Sequence, residues 1–143
     1  MQKYVYGTGL VDLTDDEITQ RDAEAVIIHA QELQDHLPAY RFEKENGGID
    51  VGGMTVQTDR GSRPDLIGAR IKAKEDAAYT VKWKTPNGFV TLNAATIITL
   101  ADEVESHVQK CFAAEAAVQP NIDNETITTK SEIESAFDTA YAE

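Results

Sequence analysis

The sequence predicts an α+β fold: two β-hairpins each followed by a helix, with an N-terminal amphipathic helix before them and a short C-terminal helix after. Three observations carry that prediction. Gly52-Gly53 and Pro86-Asn87-Gly88 each separate two short runs of alternating apolar residues, the pattern of a hairpin. Thr14-Asp15-Asp16-Glu17 and Thr129-Lys130-Ser131-Glu132 read as capping boxes opening apolar-periodic stretches. From residue 94 to 118, apolar side chains recur mostly at steps of three and four, which places them on one helical face.

Tyr4, Val5 and Tyr6 precede Gly7 and Gly9, marking a short strand or extended arm that ends in a turn, with no pairing partner evident. Thr14 then caps a helix whose box Glu17 closes, with Leu13 and Ile18 as the flanking hydrophobic staple. Ile18, Val26, Ala30, Leu33 and Leu37 form a narrow seam along it, interrupted at Asp22, while Ile27 and Ile28 fall off the seam. Pro38 lacks the N–H that a helix interior needs, so it is expected to stop or bend the helix. One more turn at Tyr40-Arg41-Phe42 then precedes Gly47-Gly48.

In the first hairpin Ile49 and Val51 share a face, as do Met54 and Val56. Residues 58–65 are rich in capping side chains and lead into Leu66, Ala69 and Ala73, a helix over about 63–75. Tyr79, Val81 and Trp83 line one face of the second hairpin, with Lys82 and Lys84 on the other. Trp83 is either the core anchor of that hairpin or an exposed interface anchor. Asn93 caps the strongest amphipathic helix, expected to run to about Val118. Ile97, Leu100, Val104, Val108 and Phe112 are expected to pack on Val51, Val56, Val81, Trp83, Val90 and Leu92. Residues 119–128 read as a polar connector, after which Ile133, Phe137 and Tyr141 fall on one stripe of a terminal helix. The expected division is an N-terminal arm and helical segment at 1–46, an α+β core at 47–118, and an acidic connector with its helix at 119–143.

Composition narrows the function. A net charge of −12 disfavours nucleic acid and anionic membrane surfaces, because both recognitions draw on basic patches. No apolar run approaches the ~20 residues of a membrane span, and Met1 to Tyr6 lacks the apolar stretch of a secretory signal. One cysteine, Cys111, excludes an internal disulfide and suits a reducing cytoplasm. The charge is uneven: residues 14–37 carry seven acids and one base, residues 119–143 six acids and one base, and residues 38–92 nine bases and seven acids. A mildly basic middle flanked by acidic ends is suited to packing on itself or on neighbouring copies.

The search for chemistry returns little. There is no P-loop, no GxGxxG, no HExxH, no GxSxG and no pair of CxxC motifs. His107 and Cys111 stand four apart, the spacing of a base beside a thiol, but Cys111 lies on the apolar seam where a thiol is an inert hydrophobe. His29 and His36 are seven apart, about 10 Å along a helix, too far to share a metal. Residues 121–125 lack the glycine and later bidentate acid of a calcium loop. No cofactor, metal or catalytic residue is therefore expected. The candidates for interaction are the seams, Ile18, Val26, Leu33 and Leu37 with Ile133, Phe137 and Tyr141, and the charged cluster Asp59, Arg60 and Arg63. In that cluster either arginine is expected to bridge to Asp59.

Residues 48–60, GIDVGGMTVQTDR, followed by Ser62 and Leu66-Ile67-Gly68-Ala69, resemble an uncharacterised family of bacteriophage tail proteins with a domain of unknown function. Val81 to Thr85, Gly88 to Leu92 and His107-Val108-Gln109 look like the rest of the same pattern, and residues 13–18 are similar to its lead-in. The helix after the first hairpin is less alanine-rich here, with Arg70, Lys72 and Lys74, and the terminal helix has no counterpart. The resemblance implies a non-enzymatic structural component of a tail tip, baseplate or fibre apparatus, with a tail-fibre assembly chaperone as the alternative. It implies other tail or fibre proteins as partners, and a virion location after synthesis in the host cytoplasm. A homo-oligomer, with a trimer as the first expectation, follows from the fibres of such families. It supplies no catalytic residue.

Overall fold

The computed structural model describes all 143 residues, Met1–Glu143. The fold is α+β, with four helices and three small antiparallel sheets of two strands each. In chain order the elements are β1 (Gln2–Val5), β2 (Gly9–Asp12), α1 (Asp15–Asn46), β3 (Ile49–Val51), β4 (Met54–Val56), α2 (Arg63–Glu75), β5 (Thr80–Thr85), β6 (Gly88–Asn93), α3 (Ala94–Asp123) and α4 (Lys130–Ala142). No helix is long and apolar enough to cross a membrane.

Both capping boxes form. The Glu17 N–H donates to Thr14 Oγ1 at 3.3 Å and the Thr14 N–H to Glu17 Oε2 at 3.0 Å, and the same reciprocal pair joins Thr129 and Glu132. Asn93 Oδ1 accepts from the Thr96 N–H at 2.9 Å and starts α3. Gly52 and Gly53 take φ of 60° and 83°, the left-handed pair that a two-residue hairpin turn requires, and Val51 pairs Met54 across it.

Two prolines lie inside helices. Pro38 does not end α1, which runs through it to Asn46, and Pro120 does not end α3, which reaches Asp123. The polar connector therefore shrinks to residues 124–129, and the boundary expected at 118/119 falls within α3. The initial extended segment also finds its partner: β1 and β2 form a third hairpin, Tyr4 opposite Leu10 and Val5 opposite Gly9. Gly7 and Gly9 supply φ near +85° in its turn.

The buried apolar residues form two clusters strung along α3. One joins Val56, Leu66, Ala69, Ala73 and Leu92 to Ile97, Leu100, Ala101 and Val104, with Val51, Val81, Trp83 and Val90 half-buried against it. The other joins Leu33 and Leu37 of α1 and Ile133 and Phe137 of α4 to Cys111, Ala114, Val118 and Ile122 of α3. Val108 and Phe112 do not join the core as expected: Val108 is half-buried and Phe112 is 43% exposed. A helix turns ~100° per residue, so once His107 and Cys111 take the inward positions their neighbours are rotated off. The Arg41 guanidinium covers the Phe112 ring from 4.7 Å.

Candidate interaction surface

The boundary between the two clusters is polar, and Glu45 sits at its centre with no exposed surface. Arg63 Nη2 donates to its carboxylate at 2.7 Å, Arg41 Nη1 pairs with the other oxygen, and Arg60 Nε lies 3.8 Å away. Burial works against the charge of Glu45. The hydrogen bonds from Arg63 and Arg41, with their positive charge, outweigh it and hold the carboxyl below its ordinary range. Thr58, also buried, donates its hydroxyl to the Glu45 carbonyl at 2.6 Å and accepts from the Gly48 N–H at 2.9 Å. Arg41 Nε reaches Glu115 at 2.7 Å, so one network ties α1, the first hairpin, α2 and α3 together.

Asp59 takes no part in that network. Its carboxylate accepts from the Gly61 and Ser62 N–H groups at 2.9 and 3.0 Å and from the Ser62 hydroxyl at 2.6 Å, and these bonds hold it below the usual range. The bridge expected between Asp59 and Arg60 or Arg63 is therefore absent. Both arginines turn to Glu45, because a fully desolvated carboxylate attracts a guanidinium more strongly than a solvated one already satisfied by backbone.

His107 and Cys111 do meet, with Sγ 3.9 Å from Nε2, but the geometry does not activate the thiol. Nε2 faces the carbonyl oxygens of Lys44 and Glu45 at 3.1 and 3.3 Å, so it must carry the proton and donate. Nδ1 then accepts the Tyr141 hydroxyl at 2.7 Å. Burial pushes the Cys111 thiol up, and the Glu45 carboxylate adds to the effect. His29 and His36 also have protein partners, the Thr128 carbonyl and the Glu134 carboxylate, each at 2.9 Å.

The seam residues divide. Leu33, Leu37, Ile133 and Phe137 are 5% exposed or less, and Tyr141 is half-buried against His107, so these candidates for interaction are sealed within one three-helix bundle. Although both segments are acidic, opposite-sign pairs line the rim of the bundle: Lys130 with Glu32 at 3.9 Å and Lys44 with Asp138 at 3.3 Å.

The other half of the seam is bare. Helix α1 runs antiparallel to α3, with Arg41 opposite Glu115 and Gln34 opposite Asp123, where α3 ends. The remaining turns, Asp15 to Ile28, extend about 21 Å further, at ~1.5 Å per residue. Every residue from Asp22 to Glu32 is exposed, including Val26 at 69%, Ile27 at 68% and Ile28 at 59%. The β1–β2 hairpin sits at the tip, tied down by an ion pair between Lys3 and Glu17 that holds the Glu17 carboxyl at about 2. Its outer face presents Tyr4 and Leu10, with Tyr6 beside them at 97% exposure, and Ile18 below is half-buried. Seven of the twelve large apolar side chains exposed by the chain thus lie within residues 1–28. Exposed apolar side chains gathered in one region mark a contact surface.

Area gives the same answer. A compact monomer of 15.7 kDa would expose roughly 7,300 Å² by the usual surface scaling. This chain exposes 9352 Å². The surplus, about 2,000 Å², is more than twice the ~800 Å² that one partner contributes to a protein–protein interface of standard size.

Fold and surface together define a small α+β domain with a projecting apolar arm. The chain belongs to the family described as Domain of unknown function (DUF4376), whose model matches residues 15–141. The match begins at the first residue of α1 and takes in α4, leaving the β1–β2 hairpin outside it. No curated protein and no solved structure matches the chain.

Sequence reasoning missed Glu45 and the arm. Glu45 looks like any surface acid in a helix, because the three arginines that bury it come from positions 41, 60 and 63. The arm had a signal: Val26-Ile27-Ile28 is too apolar for a solvated helix face, and residues off a seam still need cover.

Proposed function

We propose that the chain is a non-enzymatic structural component of a bacteriophage tail, at the tip, baseplate or fibre apparatus, and that it acts through protein contacts. The exposed apolar arm is the observation that supports this reading most: a chain built for chemistry in a pocket has no use for a bare 21 Å helix ending in a tyrosine-bearing hairpin. The resemblance of residues 48–92 to phage tail proteins supplies the setting. In this reading the two hairpin-then-helix units form the platform, and the amphipathic first helix carries the contact surface away from it. Its partners are other tail or fibre proteins and further copies of the chain, with three copies the expected assembly, and its place is the virion tail.

Mass spectrometry of purified virions tests the reading. The polypeptide is expected at stoichiometric abundance in intact particles. Particles that lack it, from infections in which fibres fail to assemble without it, would identify an assembly chaperone instead. Particles that lack it and form normally would remove the tail reading altogether.

A further inference from the structure

Strand β5 is bonded along one edge alone. With Thr85 opposite Gly88 across a two-residue turn, the ladder to β6 takes up the backbone groups of Thr85, Trp83 and Val81, and those of Lys84 and Lys82 point the other way. The same count in the first hairpin, from Val51 opposite Met54, turns the backbone N–H and C=O of Thr55 away from β3. Each hairpin is its own two-stranded sheet, and no backbone bond joins β4 to β5.

The two free edges share a cleft. It measures about 440 Å³ and is lined by Thr55 and Gln57, by Val81 to Lys84, and by Ser62 and Asp65 at the start of α2. Consecutive residues of β5 line it and none of β3 or β6 does, so the cleft lies against strand edges and not over a sheet face. From spacings of ~4.8 Å between strands, ~10 Å between layers and ~3.3 Å along the chain, one strand residue fills roughly 160 Å³, so the cleft takes about three. We propose that it receives an extended acidic segment of a partner protein, added as a strand between β4 and β5 so that the two hairpins become one five-stranded sheet. The proposal deepens the reading given above by naming the chemistry of one contact, and rests on it for the partner being a protein.

Charge selects the occupant. Val81 and Trp83 pack on the core, so Lys82 and Lys84 stand exposed on the outer face of β5, and neither meets a carboxylate of the chain. The Lys82 ammonium has only the Thr91 hydroxyl, at 2.5 Å. The acids nearby are otherwise engaged. Asp65 lies in the first turn of α2, where the helix N-terminus offsets its charge, and Asp59, behind Ser62, is held by the Gly61 N–H and the Ser62 hydroxyl. The edge of β5 from a second copy would set lysine against lysine, whereas carboxylates on an added strand oppose unlike charges. Lys82 and Lys84 are two apart, so the matching segment has acids at alternate positions and apolar side chains between them, on the side of Trp83.

Peptide titration of the full chain tests this. Trp83 is the only tryptophan and stands in the wall of the cleft, so its fluorescence reports on the site. The probe is a capped heptapeptide alternating valine and glutamate, expected to give a saturable change in that emission. The same peptide with lysine in place of glutamate, and the same peptide N-methylated at alternate residues to remove backbone donors, are each expected to bind at least tenfold more weakly. The double variant Lys82→Glu with Lys84→Glu, folded by circular dichroism, is expected to prefer the lysine peptide. No saturable change would show that the edge lysines only repel other strands, and would overturn the proposal. Equal binding of the N-methylated peptide would overturn strand addition, and equal binding of the lysine peptide would overturn the acidic partner. A fluorescence change that follows the concentration of the chain alone would show edge-to-edge pairing of two copies and overturn it too. None of these outcomes touches the tail reading, which stands or falls on the content of virions.

Discussion

Glu45 is the acid that the fold depends on. It is the one carboxylate buried completely, and Arg41 and Arg63, themselves mostly buried, have no other partner of comparable strength in the same plane. Glu45→Gln keeps an acceptor but removes the charge from two guanidinium groups, so it is expected to cost about 2–3 kcal/mol in the denaturation midpoint. The sign with pH is fixed: a carboxyl held below its ordinary value stabilises the fold fully above about pH 4.5 and loses that contribution as acid protonates the native state. The gap between wild type and Glu45→Gln should accordingly narrow as pH falls below 4.5, and a gap constant down to acid unfolding would show that the pairs contribute nothing. Cys111 yields a second residue-level expectation. Fully buried and with its thiol pushed up by that burial, it should resist alkylation in the native state and react quickly once denaturant is added.

At the scale of elements, local signals were legible and long-range balances were not. Thr14 with Glu17, Thr129 with Glu132, Asn93, and Gly52-Gly53 all act through bonds no more than a few residues apart, and each forms as its spacing implies. Pro38 and Pro120 mislead because the local cost of a proline in a helix, ~3 kcal/mol, is set against packing that a local rule does not see. Leu33 and Leu37, before Pro38, each recover ~1.5–3 kcal/mol of burial, and Tyr40 beyond it stands edge-on to Phe137 at 5.3 Å. Around Pro120 the same holds for Val118 and Ile122. Helix α4 is part of this balance, so Phe137→Ala should cost about 3–5 kcal/mol and loosen α1 beyond Pro38. Val104→Ala, in the other cluster, should cost about 1–3 kcal/mol. Hydrogen exchange separates the two: the first variant is expected to speed exchange in α1 and α4, the second in the hairpins and α2.

Taken whole, the molecule spends its sequence on two small cores and a long reach. Only 22 of its 143 residues are buried, too few to hold the arm of α1 against anything in the same chain. The α+β class was readable because capping boxes and hairpin turns are short-range patterns; the arm was not, because a seam in the sequence does not say where its partner helix ends. A charge at Leu33 would unfold the bundle and reveal nothing about partners, whereas one at Ile27 strikes the bare surface alone. Ile27→Asp should therefore leave thermal stability within about 0.5 kcal/mol of the wild type. The most direct measurement is the abundance of that folded variant in purified virions, compared with the wild type by mass spectrometry. The account predicts wild-type chain in the particles and Ile27→Asp chain reduced at least tenfold, the effect of ~1.4 kcal/mol lost at the contact. Equal incorporation of the two chains would contradict it.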